Sequence, residues 1–179
     1  DGDADRIAVV DERGNYVHIN DLLLLLYWYL HKVKGQRGGV VRNLATTHLL
    51  DRLAAAFGET CIETPVGFKY VAPVMIAENA LIGGEESGGY GFRGHIPERD
   101  GIVAGLFILD LMVQTGKKPS QLIDHLYSLV GPHYYDASVF MLDVWSGADL
   151  TTPLGRFSAY GEAWDVPVVL GEFGGRNRC

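Results

Sequence analysis

The stretch Gly39-Val40-Val41-Arg42-Asn43-Leu44 decides the fold of this 179-residue chain. Its paired valines predict a short buried strand, because β-branched residues favour extended backbone. The next helix is predicted to begin at a cap on Thr46 or Thr47 and to run to about Phe57, with Gly58 just past its end. A strand leading directly into a helix of this length is the repeating unit of a parallel sheet with helices on its faces.

The same alternation continues downstream and sets the fold class. Further strands are predicted at residues 63–66 and 80–82, the latter broken by Gly83-Gly84, and further helices at residues 68–78, 100–115 and 119–130. The sequence therefore predicts an α/β fold with three α/β/α layers and a mixed, mostly parallel sheet. In such folds ligands bind at the carboxyl ends of the strands.

Upstream of residue 39 the pattern indicates part of another α/β domain. Residues 7–10 and 16–19 predict two strands joined by a turn, and a helix capped by Asn20 or Asp21 is predicted to reach Leu30. The polar, glycine-containing residues 32–39 are typical of a linker. We therefore expect a partial domain at residues 1–36, a second domain at residues 37–138, and a tail at residues 139–179 without visible site chemistry.

Composition narrows the class of protein. A hydrophobic content of 47% is enough for a real core, and a net charge of −7 argues against nucleic-acid binding. The longest apolar run, residues 22–30, is about half a membrane span, so we expect a buried helix and no membrane association. Two cysteines, Cys61 and Cys179, are too few for a disulfide framework and suit the reducing cytoplasm, where we place the protein.

Three carboxylates at every second position, Asp1, Asp3 and Asp5, open the chain. Two such charges about 4 Å apart repel by roughly 4 kcal/mol at an effective dielectric constant of 20, so their convergence requires a cation. Oxygen ligands suit a hard cation, and we predict a Mg²⁺ site. Arg6 stands where a calcium-binding EF-hand loop needs glycine, which argues against that loop. Because a ligand loop at residue 1 is an unusual beginning for a domain, we expect the chain to be a fragment.

A second group of unusual residues lies at residues 83–95, where six of thirteen residues are glycine. Glycines allow backbone to approach a ligand closely. Within this loop, Glu85 and Ser87 are two residues apart and can hydrogen-bond adjacent hydroxyls of a sugar. A flexible surface loop explains the glycines equally well, but it does not explain the Glu-Glu-Ser centre.

Two cations complete the set of candidates. Lys69 lies in the first turn of a predicted helix, where a positive charge opposes the helix dipole, so it is either a ligand contact or an ordinary surface lysine. Arg99 can bind a phosphate with its guanidinium fork, and Asp100 beside it is a suitable helix cap. His48 and His95 are acid–base groups by type, but neither has a partner visible in the sequence.

Together these segments resemble the α-D-phosphohexomutases, the phosphoglucomutase/phosphomannomutase family. Residues 1–6 are similar to that family's magnesium loop, and residues 84–89 are similar to its sugar-binding loop. Residues 64–69 and 99–101 are similar to two further family segments and occur in the expected order and spacing. The resemblance implies that residues 1–36 end domain 2 and that residues 37–138 form domain 3 of a four-domain enzyme.

The reaction implied by the resemblance is an isomerisation. A phosphoserine in the first domain gives its phosphoryl group to a hexose phosphate, and the bisphosphorylated sugar turns over and returns the other phosphate. Hexose 1-phosphate and hexose 6-phosphate are thereby interconverted. The resemblance implies that Asp1, Asp3 and Asp5 hold Mg²⁺, which also binds the phosphoserine.

The resemblance also assigns roles around the substrate. It implies that Glu85 and Ser87 grip sugar hydroxyls, and that Arg6, Lys69 and Arg99 contact phosphate or the reacting hydroxyl. Lys69 and Arg6 are therefore the predicted catalytic residues, and Glu85, Ser87, Lys69 and Arg99 the predicted substrate-binding residues. Phosphoryl transfer depends mainly on positioning and charge neutralisation, which such groups supply.

Some of the family pattern has no match here. The phosphoserine loop would lie upstream of residue 1, and the family's C-terminal phosphate-binding loop has no counterpart in residues 140–179. We therefore expect the isolated chain to be inactive. Two alternatives stay open, a phosphoglucosamine mutase and a non-catalytic calcium- or sugar-binding module. The Glu86-Ser87 pair favours plain hexoses over amino sugars.

Overall fold

The computed structural model describes residues 2–131, which fall within one compact unit. The elements are, in chain order, β1 (Val9–Val10), β2 (Tyr16–Val17), α1 (Ile19–Trp28), β3 (Val40–Asn43), α2 (Leu49–Phe57), β4 (Cys61–Thr64), α3 (Phe68–Ala77), β5 (Ile82–Gly84), β6 (Tyr90–Phe92), α4 (Gly101–Thr115) and α5 (Pro119–Val130). A π-helical turn, Tyr29–Val33, continues α1.

Two sheets are present in this part of the chain. β1 and β2 form an antiparallel hairpin, and the main sheet has the strand order β4-β3-β5-β6. β3 runs parallel to β4 and to β5, whereas β6 runs antiparallel to β5. The predicted fold class, a mixed and mostly parallel α/β sheet, is confirmed.

Helices cover both faces of the main sheet. Val41 packs on one face with Val71 and Met75 of α3. Its neighbour Val40 points to the opposite face, because successive side chains of a strand alternate, and joins a larger core built from α1, α2, α4 and α5. The predicted three-layer arrangement thus follows from adjacent valines at the centre of the sheet.

The hydrophobic run of α1 lies in that larger core, as predicted for a buried helix. Leu23, Leu24 and Leu26 have no exposed surface. They belong to the same cluster as Leu50 of α2 and Ile82 of β5. The boundary predicted between residues 36 and 37 therefore does not separate two hydrophobic cores. The predicted tail, residues 139–179, lies outside the described residues.

The glycine pair after the third predicted strand does not break it. β5 continues through Gly83 and Gly84, and β6, which the sequence analysis placed in a loop, pairs with it. A Cβ on Gly84 would lie 2.6 Å from Leu23 of α1, and one on Gly83 would collide with Met75 of α3. These glycines let helices approach β5 closely from both faces, which is why they stand inside a strand.

Other predicted boundaries shift by a few residues. β4 lies at Cys61–Thr64 rather than at residues 63–66, and α1 is capped by the His18 side chain, which accepts from the Asn20 N–H, rather than by Asn20 or Asp21. The predicted cap of α4 is confirmed, because Asp100 accepts from the Val103 N–H at the start of that helix.

One side of α4 is apolar and exposed. Ile102, Leu106, Leu109 and Val113 follow helical spacing and are 58–78% exposed. Such a stripe is the kind of face that helices in larger assemblies cover. Between residues 2 and 131, no helix combines the length and the apolarity that crossing a membrane requires.

Acid should weaken the contact between α4 and the turn after α1. Asp110 accepts a hydrogen bond from Tyr29, and its carboxylate lies 2.5 Å from the Lys34 ammonium. Lys34, then Tyr29 and Gln114, lower the pKa of Asp110 from 3.8 to about 2. Since the folded-state pKa is depressed, this stabilisation is complete above about pH 4 and is lost as pH falls toward 2.

The pH dependence can be measured by urea unfolding between pH 7 and 2. Asp110→Asn should be less stable than the unsubstituted chain at neutral pH, and the difference should shrink as the pH approaches 2. Asp124→Asn, an exposed substitution on α5, serves as the matched control and should not change the acid limb. A stability difference for Asp110→Asn that stays constant across this range would contradict the assignment.

Candidate functional site

The carboxyl ends of three parallel strands bring polar residues to one edge of the main sheet. Asn43 at the end of β3 is in register with Thr64 at the end of β4, and Arg42 is in register with Gly84 of β5. Glu85, directly after β5, therefore lies beside Asn43. This is the edge at which α/β folds bind ligands.

The aspartate loop at the start of the chain, of which the structure describes residues 2–6, is hydrogen-bonded to loops at the same edge. The Ile7 N–H donates to the Gly88 carbonyl at 3.1 Å, and the Gly101 N–H at the start of α4 donates to the Ala4 carbonyl at 2.9 Å. The loop thus lies between the glycine-rich loop and the N-terminus of α4. The two patches that the sequence analysis singled out are neighbours.

Arg99 connects the two patches directly. Its Nη2 lies 2.7 Å from an Asp5 carboxylate oxygen, and its Nη1 lies 3.2 Å from a Glu85 carboxylate oxygen. The guanidinium carbon is 5.9 Å from the centroid of the Phe68 ring, the distance of a cation–π contact. Arg99 was predicted to bind phosphate, but here both terminal nitrogens bind carboxylates, so it neutralises and joins them.

Glycines allow these loops to approach one another. A Cβ on Gly88 would lie 2.7 Å from the Ile7 carbonyl oxygen, and Gly88 has φ +87°, which side-chain-bearing residues rarely adopt. A Cβ on Gly101 would lie 2.6 Å from the Arg6 carbonyl oxygen. The glycine content of this region therefore reflects close backbone packing, as well as any approach to a ligand.

Glu85 is buried and held from several directions. It is 4% exposed, and one carboxylate oxygen accepts from the Gly67 N–H at 3.0 Å and from the Asn43 amide at 3.4 Å. Nearby in the chain, the Ser87 hydroxyl is buried and has no hydrogen-bond partner within residues 2–131. A buried hydroxyl without a partner is costly, and a ligand that bonds to it would remove that cost.

The predicted metal ligands are only partly visible. Asp1 lies outside the described residues, Asp3 is exposed, and Asp5 is mostly buried. One Asp5 oxygen is held by Arg99, and the other is buried without a hydrogen bond, 3.6 Å from the Arg6 Nε. Residues 2–131 contain no group of three metal-ligating side chains. Carboxylate oxygens such as the Asp5 oxygen without a hydrogen bond, and those of Asp3 two residues away in the chain, are of the type that a hard cation binds, together with ligands from elsewhere.

The predicted catalytic cations differ in their surroundings. Arg6 is half exposed beside Asp5. Lys69 is exposed, and its ammonium lies 5.0 Å from the centroid of the Tyr70 ring. Its loop reaches the site through the Gly67 N–H, which binds Glu85. The structure therefore brings the loop of Lys69 to the site, whereas the Lys69 side chain itself is exposed.

Several site contacts were not visible in the sequence. His95 pairs with Asp100 at 2.8 Å. The Val103 N–H and then His95 lower the pKa of Asp100. Asn43 donates to both glutamates of the glycine-rich loop. Its position at the end of a strand was the only available signal, since the contact joins residues more than forty positions apart.

Comparison with known proteins identifies relatives of this domain. Residues 18–130 match the family model described as phosphoglucomutase/phosphomannomutase, alpha/beta/alpha domain III. A curated protein of Thermococcus kodakarensis named phosphoglucomutase/phosphomannomutase is 36% identical over 75% of this chain. A phosphoglucosamine mutase of Nautilia profundicola is 38% identical over 69% of the chain. In both cases the match spans only 28% of the relative.

A solved structure shares the fold as well as the sequence. A protein of Thermus thermophilus, solved as a candidate phosphomannomutase, superposes with a TM-score of 0.70 and is 42% identical. The match covers 73% of this chain and 30% of that protein. The chain thus spans less than a third of the length of these relatives.

Proposed function

This chain belongs to the phosphoglucomutase/phosphomannomutase family, and from that premise we propose that it is part of a Mg²⁺-dependent phosphohexomutase. It supplies the metal loop, which is the aspartate loop at residues 1–6, and the sugar grip, which is formed by Glu85 and Ser87. The enzyme interconverts hexose 1-phosphate and hexose 6-phosphate. The phosphoserine that exchanges phosphoryl groups with the sugar lies in the longer polypeptide that carries this chain. The isolated chain is inactive for that reason.

The bridge that Arg99 forms between Asp5 and Glu85 carries the proposal. A mutase must hold one sugar while a free hydroxyl of that sugar takes the phosphoryl group from the phosphoserine. The residues that bind the sugar and the residues that would hold Mg²⁺ must therefore share a cleft. Arg99 contacts both within 3.2 Å. The separation of the two loops is therefore small enough for one monosaccharide to reach both.

Each side chain then has a defined task. The buried Glu85 carboxylate accepts hydrogen bonds from sugar hydroxyls, and the unpaired Ser87 hydroxyl completes the grip. Asp3 and Asp5, with Asp1, would hold Mg²⁺, which when bound would neutralise charge on the transferring phosphoryl group. Arg6 contacts the phosphate.

We propose that Lys69 acts at the reacting end of the sugar. Its side chain is exposed, and its loop is joined to Glu85 through the Gly67 N–H, so its ammonium can contact a substrate phosphate or hydroxyl. A lysine acts as a base only when its pKa is lowered by a closed environment. The remaining domains would have to supply that closure, and we propose Lys69 as the residue that exchanges a proton with the reacting hydroxyl. We also propose a cytoplasmic location, on the cysteine usage alone.

A phosphoglucosamine mutase is the second candidate, because the relative from Nautilia profundicola bears that name. The two candidates separate in a substrate comparison with the longer polypeptide. We expect kcat/KM for glucose 1-phosphate or mannose 1-phosphate to exceed that for glucosamine 1-phosphate at least about tenfold, which corresponds to about 1.4 kcal/mol. The reverse order would assign the enzyme to amino sugars, and no turnover of any of the three would contradict the proposed function.

A further inference from the structure

Two consecutive carboxylates are buried in the glycine-rich loop. Glu85 and Glu86 are each 4% exposed, and both lie next to Asn43, which has no exposed surface. The Asn43 Nδ2 donates to a Glu86 oxygen at 2.5 Å and to a Glu85 oxygen at 3.4 Å. One amide therefore bonds to both neighbouring negative charges, which would otherwise repel each other in a site with little water.

The orientation of that amide is fixed by the backbone. The Ala45 N–H donates to the Asn43 Oδ1 at 3.1 Å, so the oxygen side of the amide is occupied and the nitrogen side must face the glutamates. The Asn43 carbonyl also accepts from Thr46, through its N–H at 3.1 Å and its hydroxyl at 2.7 Å. The turn after β3 thus holds Asn43 in one position.

The two glutamates depend on Asn43 to different degrees. Glu85 also receives the Gly67 N–H and the Arg99 guanidinium. For Glu86, the Asn43 amide is the one hydrogen-bond donor that the structure shows between residues 2 and 131. Loss of the Asn43 amide would therefore release Glu86 first. The freed charge would then act on the adjacent Glu85.

We propose that Asn43 is a positioning residue of the sugar grip, holding Glu86 in place so that Glu85 keeps the orientation in which it meets the sugar. This inference rests on the proposed function. Because the grip binds the sugar in the ground state and the transition state alike, its disturbance raises KM more than it lowers kcat. A purely structural role would instead reduce the folded fraction, which lowers the apparent kcat and leaves KM unchanged.

The test exchanges the hydrogen-bond donor and acceptor at positions 43 and 86 in the longer polypeptide and measures KM and kcat for glucose 1-phosphate. Asn43→Asp replaces the donor by a third carboxylate, and we expect KM to rise at least tenfold. Glu86→Gln alone keeps an oxygen that can accept from the Asn43 amide, so its KM should rise less than that of N43D. In the double variant N43D/E86Q, the amide at position 86 can donate to the carboxylate at position 43, so a hydrogen bond is restored with its donor and acceptor exchanged. Its KM should therefore return most of the way to the wild-type value. Asn79→Asp, at an exposed asparagine after α3, is the matched control and should be unchanged.

Each outcome decides the question. The inference is wrong, and the proposed function stands, if the wild type is active and N43D has an unchanged KM. The same holds if the KM of the double variant is no lower than that of N43D. If N43D does not fold, Asn43→Ser carries the same expectation, because it removes the amide without adding charge, and an unchanged KM there overturns the inference. A wild type that converts no hexose phosphate overturns the proposed function and the inference together.

Discussion

Glu85→Gln in the longer polypeptide is expected to lower kcat/KM for hexose phosphate about 100-fold. Hydrogen bonds to a charged group contribute about 1.5–3 kcal/mol each. Weakening two bonds to sugar hydroxyls therefore gives an effect of this size, since about 1.4 kcal/mol corresponds to tenfold. Glutamine keeps the shape of Glu85, and its carbonyl can still accept from the Gly67 N–H, so the change removes charge more than structure.

The same substitution also disturbs the link between the two loops. Arg99 divides its charge between Asp5 and Glu85, and after Glu85→Gln it faces Asp5 as its remaining carboxylate in that bridge. We expect Arg99 to move toward Asp5, which competes with metal binding there. Part of the loss should therefore appear as a higher Mg²⁺ concentration for half-maximal activity.

A matched control is available in the same domain. Glu78→Gln makes the same chemical change at an exposed residue that ends α3, and it should leave kcat/KM within about twofold of wild type. Circular dichroism of both variants checks the fold. An E85Q enzyme that retains more than about a third of the wild-type kcat/KM would remove Glu85 from the proposed grip.

Local chemistry accounts for what could be predicted from the sequence. Asp100 caps α4, and Gly58 and Gly116 end α2 and α4 with left-handed backbone, because these preferences depend on the residues beside them. The valines of β3 similarly predict a buried strand. Apart from β6, the order of helices and strands from β3 to α5 therefore follows from the sequence.

The features that were missed depend on contacts between distant residues. β6 is three residues long and lies among glycines, so its pairing with β5 provides the only reason for it to be a strand. The buried Arg42 binds Asp51 of α2 and Glu63 of β4, and no local pattern indicates that set of partners. The contacts of Arg99 with Asp5 and Glu85 likewise join distant parts of the chain, and no local pattern predicts them.

Removal of Mg²⁺ is expected to have the largest effect of all. We propose that the aspartate loop holds this ion at one end of the cleft that binds the sugar. Asp5 keeps one buried oxygen free of hydrogen bonds, although Arg99 occupies the other. A metal ion contributes several kcal/mol to phosphoryl transfer, and roughly 4 kcal/mol corresponds to about 1000-fold in rate. A calcium- or sugar-binding module would show binding without turnover.

The direct test follows the conversion of glucose 1-phosphate to glucose 6-phosphate by ³¹P NMR. The longer polypeptide is supplied with a trace of glucose 1,6-bisphosphate, first with Mg²⁺ and then with EDTA. We predict conversion with Mg²⁺ that falls at least about 1000-fold in EDTA and returns when Mg²⁺ is restored. Conversion at the same rate without any divalent cation, or none when Mg²⁺ is present, would contradict this account.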